Sequence, residues 1–238
     1  MRLNKFLAQN GLCSRREADT LIANNWVEVD GQPIPAQGVK IEPGQTATLL
    51  PAAYAWLDKK VTVILNKPPG YVSNLPEDDK TPAVELVTTE NFYGTNKAPW
   101  VLRKGLAPAG RLDIDSSGLL ILTQDGALAK TIIDAESLVE KEYIVKVRGN
   151  ITSDKLEGLS DGSIELDGRT LKKAKVQRIN ETQLRFVLTE GKKRQIRRMC
   201  EIFDLEVTTL KRVRIGKIEL GALPRGRWRL LAKNESVL

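Results

Sequence analysis

The sequence contains no histidine and only two cysteines among its 238 residues. Without an imidazole, the chain cannot build a Ser-His-Asp triad or a histidine-ligated metal site. Cys13 and Cys200 show neither a CxxC pair nor a repeated spacing, so we expect reduced thiols and not a disulfide framework or a zinc site. Any catalysis must therefore use carboxylates, tyrosine, lysine, arginine or the backbone.

Long apolar runs are also missing. No run approaches the roughly 18 apolar residues that a transmembrane helix needs. The first residues are charged, and the short apolar stretch at 6–8 is followed at once by Gln9 and Asn10, which is not typical of a signal peptide. We expect a soluble, cytoplasmic protein.

Positive charge is abundant and unevenly placed. The net charge is +7 at pH 7. Residues 191–229 hold twelve Lys or Arg and four Asp or Glu, so this segment carries the whole surplus. Because the cluster is dense and interleaved with apolar strand residues, it favours a nucleic-acid partner over a plain solvated surface.

Residues 1–50 have the pattern of a compact module. Apolar residues near the start are spaced as a short amphipathic helix that ends at Gly11. Ser14 and Glu17 form a capping-box sequence for a second helix over 15–24. Asp30-Gly31 is a hairpin turn signal. Residues 51–60 are expected to be a linker.

Three strings in this module resemble the S4 RNA-binding domain, in the order found in that family: Arg2-Leu3-Asn4-Lys5-Phe6-Leu7, Cys13-Ser14-Arg15-Arg16-Glu17-Ala18 and Val27-Glu28-Val29-Asp30-Gly31. The resemblance implies that Lys5, Arg15 and Arg16 contact RNA phosphates. Basic and acidic residues cancel over 1–56, so any RNA contact must come from one face. We predict an S4 domain with linker at 1–56 and a second domain at 57–238.

The second domain is organised around residues 110–118, Gly-Arg-Leu-Asp-Ile-Asp-Ser-Ser-Gly, which lead into an apolar strand. A carboxylate on a stiff loop at the mouth of a sheet can serve as a nucleophile or base. The same pattern also suits an ordinary loop closed by an ion pair, for example between Arg111 and Asp115. Taken alone, the local pattern favours the ordinary loop.

Strand patterns dominate the rest of the chain. Alternating or apolar segments at 61–66, 119–123, 141–147 and 183–189 predict strands, and Asp125 is a candidate helix cap. Helices are expected over 153–159 and 191–203, and a surface insertion over 74–96. Because the connections are short, we predict an α+β, mostly antiparallel domain with flanking helices.

Four separated strings together resemble the RsuA-type family of bacterial ribosomal RNA pseudouridine synthases: Leu65-Asn66-Lys67-Pro68-Pro69-Gly70, Gly110-Arg111-Leu112-Asp113, Lys141-Glu142-Tyr143 and Gly191 to Arg198. An S4 domain in front is typical of that family. The resemblance implies site-specific isomerisation of uridine to pseudouridine in ribosomal RNA, with no metal and no cofactor.

The resemblance also implies site residues. Asp113 is the covalent catalyst, and Arg197 is the partner that keeps its carboxylate ionised. Tyr143 lies against the uracil ring and is a candidate to accept the departing proton; alone, it would be interpreted as an outward strand tyrosine. Arg111 either holds the extruded nucleotide or pairs with Asp115, which we interpret as a loop brace.

Further RNA contacts are expected from Lys67, Arg194 and the tract of Lys211, Arg212 and Arg214. Position 194 is arginine where many relatives have histidine, which favours the RluF-like branch that acts on 23S ribosomal RNA. We expect a monomer whose partner is this RNA, free or in an assembling particle.

Other functions remain open from the sequence. A non-catalytic RNA-binding or ribosome-assembly protein would need the same S4 domain and basic tract. A synthase acting on 16S ribosomal RNA or tRNA would carry the same strings. A nuclease could use Asp113, Asp115 and Asp125 as Mg²⁺ ligands, and such an enzyme would lose activity in EDTA.

Overall fold

The computed structural model describes residues 1–34, 38–73, 79–95, 97–99, 103–232 and 234–238. The N-terminal part contains three helices and a three-stranded antiparallel sheet of order β2-β1-β3. These elements are α1 (Leu3–Gln9), α2 (Arg15–Ala23), β1 (Val27–Val29), β2 (Gln32–Pro33), β3 (Ala47–Leu49) and α3 (Pro51–Leu57). The capping box at the start of α2 is present as predicted, with Ser14 and Glu17 bonded reciprocally.

The segment that was expected to be a linker is partly a helix. α3 begins at Pro51, whose fixed φ suits the first helical position. Ala53, Trp56 and Leu57 pack on the core formed by α1, α2 and the small sheet. The linker prediction is therefore wrong for these residues, because their apolar side chains belong to the N-terminal core.

The larger part of the chain is built on one sheet. Its strands in chain order are β4 (Thr62–Lys67), β5 (Ala107–Pro108), β6 (Ser117–Thr123), β7 (Lys141–Arg148), β10 (Lys175–Asn180), β11 (Gln183–Leu188), β12 (Glu206–Ile215), β13 (Ile218–Glu219) and β14 (Trp228–Leu230). The spatial order is β10-β11-β7-β12-β6-β4-β14, with β13 on β12 and β5 on β6. A separate hairpin comprises β8 (Glu165–Leu166) and β9 (Arg169–Thr170).

The pairing and helices agree with the predicted fold class. Among the strand pairs described, β6 with β12 is parallel and the others are antiparallel. Three helices and a 3-10 turn flank the sheet: Ala83–Leu86, α4 (Gly126–Ile133), α5 (Ser153–Ser160) and α6 (Gln195–Ile202). The helix expected from residue 191 begins at Gln195, because Arg194 before it has φ 52° in the left-handed region. Residues 74–78 and 96 of the expected insertion lie outside the described residues.

Apolar residues cover both faces of the sheet in separate clusters. Along β4, Val63 and Leu65 pack in one cluster with Trp228, whereas Ile64 packs on the opposite face with Ile132 of α4. A third cluster joins β7, β11 and β12 to α5 and α6. This third cluster and the Trp228 cluster lie side by side on the same face. Within the described residues, no helix has the length and apolar character to span a bilayer.

Candidate active site

The loop that carries Asp113 is fixed by hydrogen bonds on both sides of this residue. Ser73 Oγ donates to the carbonyl oxygen of Leu112 at 2.7 Å and accepts from the Leu112 N–H at 2.9 Å. Gly70 N–H donates to the carbonyl oxygen of Ile114 at 2.8 Å, and Ser116 N–H donates to that of Asp113 at 3.0 Å. Ser73 and Gly70 therefore hold the loop backbone from a distant segment, which makes the loop stiff.

The Asp113 carboxylate itself is half-buried at the end of this loop. Within the described residues it forms no hydrogen bond and no ion pair, although its charge is felt by Lys67. A carboxylate that the protein orients but leaves without a bonded partner is available to react with a substrate.

Lys67 lies beneath the loop and is fully buried, with 0% exposure. Its Nζ donates to the carbonyl oxygens of Pro68 at 2.9 Å, Tyr71 at 2.8 Å and Ile114 at 3.5 Å. Burial lowers the pKa of Lys67 to about 8, although the carboxylates of Asp115 and Asp113 oppose this shift. The predicted RNA contact by Lys67 is therefore wrong, because the side chain is enclosed and supports the loop instead.

A single row of residues crosses the sheet below the loop. Lys67 on β4 is opposite Gly118 on β6, Gly118 is opposite Arg212 on β12, and Arg212 is opposite Tyr143 on β7. Directly opposed residues point to the same face, so Lys67, Arg212 and Tyr143 share one face. Gly118 has φ 104°, and a Cβ there would overlap the backbone of Arg212. Glycine at this position allows β6 and β12 to approach closely at the start of β6.

Arg212 is part of this row and is 3% exposed. Its Nε donates to the carbonyl oxygen of Leu119 at 2.8 Å, and its Nη1 donates to that of Arg111 at 3.2 Å. The prediction that Arg212 binds an RNA backbone is wrong, because its buried guanidinium donates hydrogen bonds to carbonyl oxygens of the Asp113 loop and β6 inside the protein. Arg212 and Ser73 position the loop, and the sequence offered no local signal for either role.

The other two members of the predicted basic tract differ from each other. Lys211 is exposed, as a phosphate contact requires. Arg214 is partly buried and forms ion pairs at 2.9 Å with Glu140 and with Glu142. The predicted RNA contact by Arg214 is not supported, because its guanidinium already pairs with these two carboxylates.

Two arginines from the α6 region pair with Asp115. Arg197 Nη2 lies 3.3 Å from Asp115 Oδ1, and Arg194 Nη1 lies 3.2 Å from Asp115 Oδ2. Arg197 Nη1 also donates to the carbonyl oxygen of Val207 at 3.0 Å. The expected direct pair with Asp113 is thus replaced by a pair two residues later. Asp115 braces the loop through α6, and Arg111 is exposed and is not its partner.

Tyr143 faces inward and is 8% exposed. It belongs to the same apolar cluster as Leu112, the residue immediately before Asp113. The alternative of an outward strand tyrosine is therefore wrong. The aromatic ring lies in the part of the sheet next to the Asp113 loop, where it can form an apolar wall for a base.

The three basic residues predicted on the N-terminal helices are exposed: Lys5, Arg15 and Arg16. Lys5 lies on α1, and Arg15 and Arg16 open α2, which packs against α1. Their placement is compatible with contact to a phosphate backbone.

Neither thiol nor a carboxylate cluster offers a rival site. Burial raises the pKa of Cys13 and of Cys200 to about 12, so both thiols stay protonated. Asp125 accepts N–H bonds at the start of α4, and Asp115 is paired with arginines. The three carboxylates considered for a nuclease therefore have separate tasks. No group of three or more candidate metal ligands occurs among the residues that the structure describes.

Two family models match the chain. Residues 61–202 match the RNA pseudouridylate synthase model, and residues 1–46 match the S4 domain model. A dual-specificity RNA pseudouridine synthase RluF from Salmonella typhi is 37% identical over 99% of this chain and 77% of its own length. The protein of the same name from Escherichia coli K12 is 36% identical over 100% and 77%.

More distant proteins extend this similarity. An uncharacterised RNA pseudouridine synthase from Aquifex aeolicus is 33% identical over 99% of this chain and 92% of its own length. A crystal structure of a pseudouridylate synthase superimposes with a TM-score of 0.68 at 25% identity, covering 98% of this chain and 96% of the other.

Proposed function

The chain belongs to the RNA pseudouridylate synthase family and carries an N-terminal S4 domain, and from this premise we propose that it modifies one specific uridine of 23S ribosomal RNA. Isomerisation of uridine in RNA is the activity of the family. Two observations support the 23S target. The segment from Arg194 to Glu201 resembles the RluF-like branch. The relatives from Salmonella typhi and Escherichia coli are RluF enzymes.

A second RNA class is the alternative target. Both relatives are named as dual-specificity enzymes. We therefore propose a tRNA as the second candidate substrate, with 16S ribosomal RNA as the third. The enzyme acts in the cytoplasm as a monomer, with residues 1–56 as the S4 domain and 57–238 as the catalytic domain.

We assign the covalent step to Asp113. The reaction breaks the bond between N1 of uracil and C1′ of the ribose, turns the base and joins C1′ to C5, which loses its hydrogen. A covalent carboxylate divides this difficult exchange into two easier steps. The carboxylate of Asp113 carries this assignment, because it is half-buried, has no bonded partner among the described residues, and lies on a loop fixed by Ser73 and Gly70.

Tyr143 and Arg197 support the reaction at Asp113. The ring of Tyr143 is placed to lie against the uracil, and its hydroxyl is the candidate acceptor for the departing proton. Arg197 holds the loop through Asp115 and places positive charge beside it. Arg111 is exposed beside the nucleophile, where it can contact the backbone of the target nucleotide.

The target uridine must leave its stack to reach this site. An enzyme that changes the bonds of a base needs it extruded or in a single-stranded loop. The exposed Lys5, Arg15, Arg16, Arg194 and Lys211 supply phosphate contacts on the surrounding surface. Such contacts predict binding that weakens steeply with added salt.

The test is release of tritium from RNA labelled at C5 of uracil, in buffer that contains EDTA. Release is expected from 23S transcripts, because C5 loses its hydrogen when it becomes the new attachment point. Release from tRNA as well would support dual specificity. Release from 16S transcripts alone would contradict the 23S target, and no release from any RNA would contradict the enzymatic proposal as a whole.

A further inference from the structure

One buried carboxylate connects the S4 domain to the catalytic domain. Glu17 on α2 is 7% exposed. Its Oε2 accepts from the Ser14 N–H at 2.5 Å, while its Oε1 accepts from the Gly126 N–H at 2.9 Å. Lys60 Nζ forms an ion pair with the same Oε1. Gly126 is the first residue of α4, so a side chain of the S4 domain caps a helix of the catalytic domain.

The surroundings keep this carboxylate charged. Burial would raise the pKa of Glu17, but the Lys60 ammonium and the N–H groups of Ser14 and Gly126 outweigh it and hold the pKa below its ordinary value. Lys60 is itself fixed, since its Nζ lies 4.4 Å from the ring centre of Trp56 in the N-terminal core. The contact therefore joins four groups in a buried network: the Glu17 carboxylate, the Lys60 ammonium and the N–H groups of Ser14 and Gly126.

The two backbones also approach closely at this point. A Cβ at Gly126 would lie 2.5 Å from both Cβ and Oγ of Ser14. Asp125 already accepts from the Ala127 and Leu128 N–H groups, and Glu17 takes the remaining N–H of that first turn. Helical dihedrals at Gly126 do not require glycine, so the neighbour Ser14 is the reason that a side chain does not fit.

This contact has a defined place relative to the nucleophile. α4 follows β6, and the Asp113 loop precedes β6, so the two lie at opposite ends of one seven-residue strand. Such a strand spans roughly 20 Å at ~3.3 Å per residue. Arg15 and Arg16 follow Ser14 directly, so docking at Gly126 sets how far their phosphate contacts lie from the reacting uridine.

We propose that Glu17 is a positioning residue that fixes the S4 domain against the catalytic domain, so that both grip one RNA at a set spacing. The proposal rests on the proposed function, because it concerns how that RNA is held. A fixed spacing raises the effective concentration of the second contact once the first is made. The fixed spacing affects the binding of RNAs that are long enough to contact both domains. Short RNAs that occupy the catalytic site alone do not depend on this spacing.

The test compares a long ribosomal RNA transcript with a short stem-loop that carries the same uridine. Gly126→Ala breaks the contact from the catalytic side, because the added methyl group would overlap Cβ and Oγ of Ser14. It should raise KM for the long RNA about tenfold and leave its kcat within about twofold. Both constants for the stem-loop should stay unchanged. Glu17→Gln should give a smaller rise in KM, because the amide oxygen still accepts from Gly126.

Glu206→Gln is the matched control, since Glu206 is exposed and pairs with Arg148 away from this contact. It should not alter KM for either RNA. Hydrogen exchange at the Gly126 amide should be slow in the wild type and fast in Glu17→Ala. If Glu17→Ala fails to fold, Gly126→Ala decides the question.

Two results would overturn the proposal. One is an unchanged KM for the long RNA in Gly126→Ala. The other is an equal loss of kcat on both RNAs, which would mean a general structural defect. A failure of the proposed function is distinguishable, because then the wild type would release no tritium from any RNA. The dissociation constant of the long RNA would still test the docking: an unchanged value in Gly126→Ala would overturn it, and an increase would support it.

Discussion

Arg197 and Asp115 form an ion pair at 3.3 Å, and this pair joins α6 to the loop that carries Asp113. Asp115 follows Asp113 by two residues, so the arginine holds the loop and leaves the Asp113 carboxylate without a bonded partner among the described residues. Substrate can therefore approach Asp113 without first displacing an ion pair. The loop is fixed at the same time from the other side by Ser73 and Gly70.

Asp113→Asn should abolish turnover and leave RNA affinity nearly intact. The change removes the nucleophile but no phosphate contact, and an amide of the same shape keeps the loop. We expect tritium release to fall by at least about 10³-fold, with a dissociation constant within about twofold of the wild type. Turnover by Asp113→Asn within about tenfold of the wild type would show that another group is the nucleophile.

Asp115→Asn should reduce kcat by about tenfold, which corresponds to roughly 1.4 kcal/mol. The change removes the charge that pairs with Arg197 and Arg194, and it loosens the loop without touching the nucleophile. Asp167→Asn is the control, because Asp167 pairs with Arg198 of the same helix at an exposed position. An equal loss of kcat in Asp115→Asn and Asp167→Asn would contradict a specific role of Asp115 in holding the loop.

Lys67→Met should remove a pH dependence of stability. The pKa of Lys67 is about 8 in the folded protein and about 10.5 in the unfolded chain. Unfolding therefore takes up a proton between these pH values, so wild-type stability rises with pH across the window relative to the variant. Charged groups that face Lys67 are Asp115, Asp113 and Arg212.

The measurement for Lys67 is the free energy of unfolding in urea at pH 7 and pH 10, for both proteins. The difference between them should change by on the order of 3 kcal/mol. Lys141 also has a pKa of about 8, mainly through burial, and it contributes equally to both proteins. Parallel pH profiles would contradict the placement of Lys67 as a buried cation.

Lys211→Gln and Arg212→Gln should separate an RNA contact from a structural arginine. Lys211 is exposed, so its loss should weaken RNA binding several-fold at low salt and leave the melting temperature unchanged. Arg212 bonds two backbone carbonyls while buried, so its loss should cost about 3 kcal/mol of stability. Salt titrations and thermal melts of both proteins give the answer. If the Arg212 variant were as stable as the wild type but bound RNA more weakly, Arg212 would contact RNA after all.

Gly118→Ala should destabilise the fold by at least about 3 kcal/mol. The added methyl group would overlap the backbone of Arg212, and φ is 104° at this position. Gly191→Ala is the stability control, since a Cβ at Gly191 meets nothing within 4 Å. Chemical denaturation compares the two, and a near-neutral Gly118 variant would contradict the close approach of β6 and β12.

The sequence by itself determined the fold class, the family and the order of most elements. These features depend on local information: the capping box of Ser14 and Glu17, the cap at Asp125 and the alternation of Lys141–Arg148 involve residues a few positions apart. The strings around Asp113 and Tyr143 identified the family in the same way. Helix α3 was missed because Pro51 and two alanines resemble a linker until their packing partners are known.

Only the tertiary structure decided which charged groups meet. Arg197 and Asp115 are separated by 82 positions in the chain, and no local pattern states whether the arginine reaches Asp113 or Asp115. Lys67 and Arg212 look like surface cations in a basic sequence, yet the strand register buries both. The contact of Glu17 with Gly126 likewise arises when two domains pack. The assembly of strands and helices determines which distant charges pair, because the local sequence around a charged residue does not specify its partner.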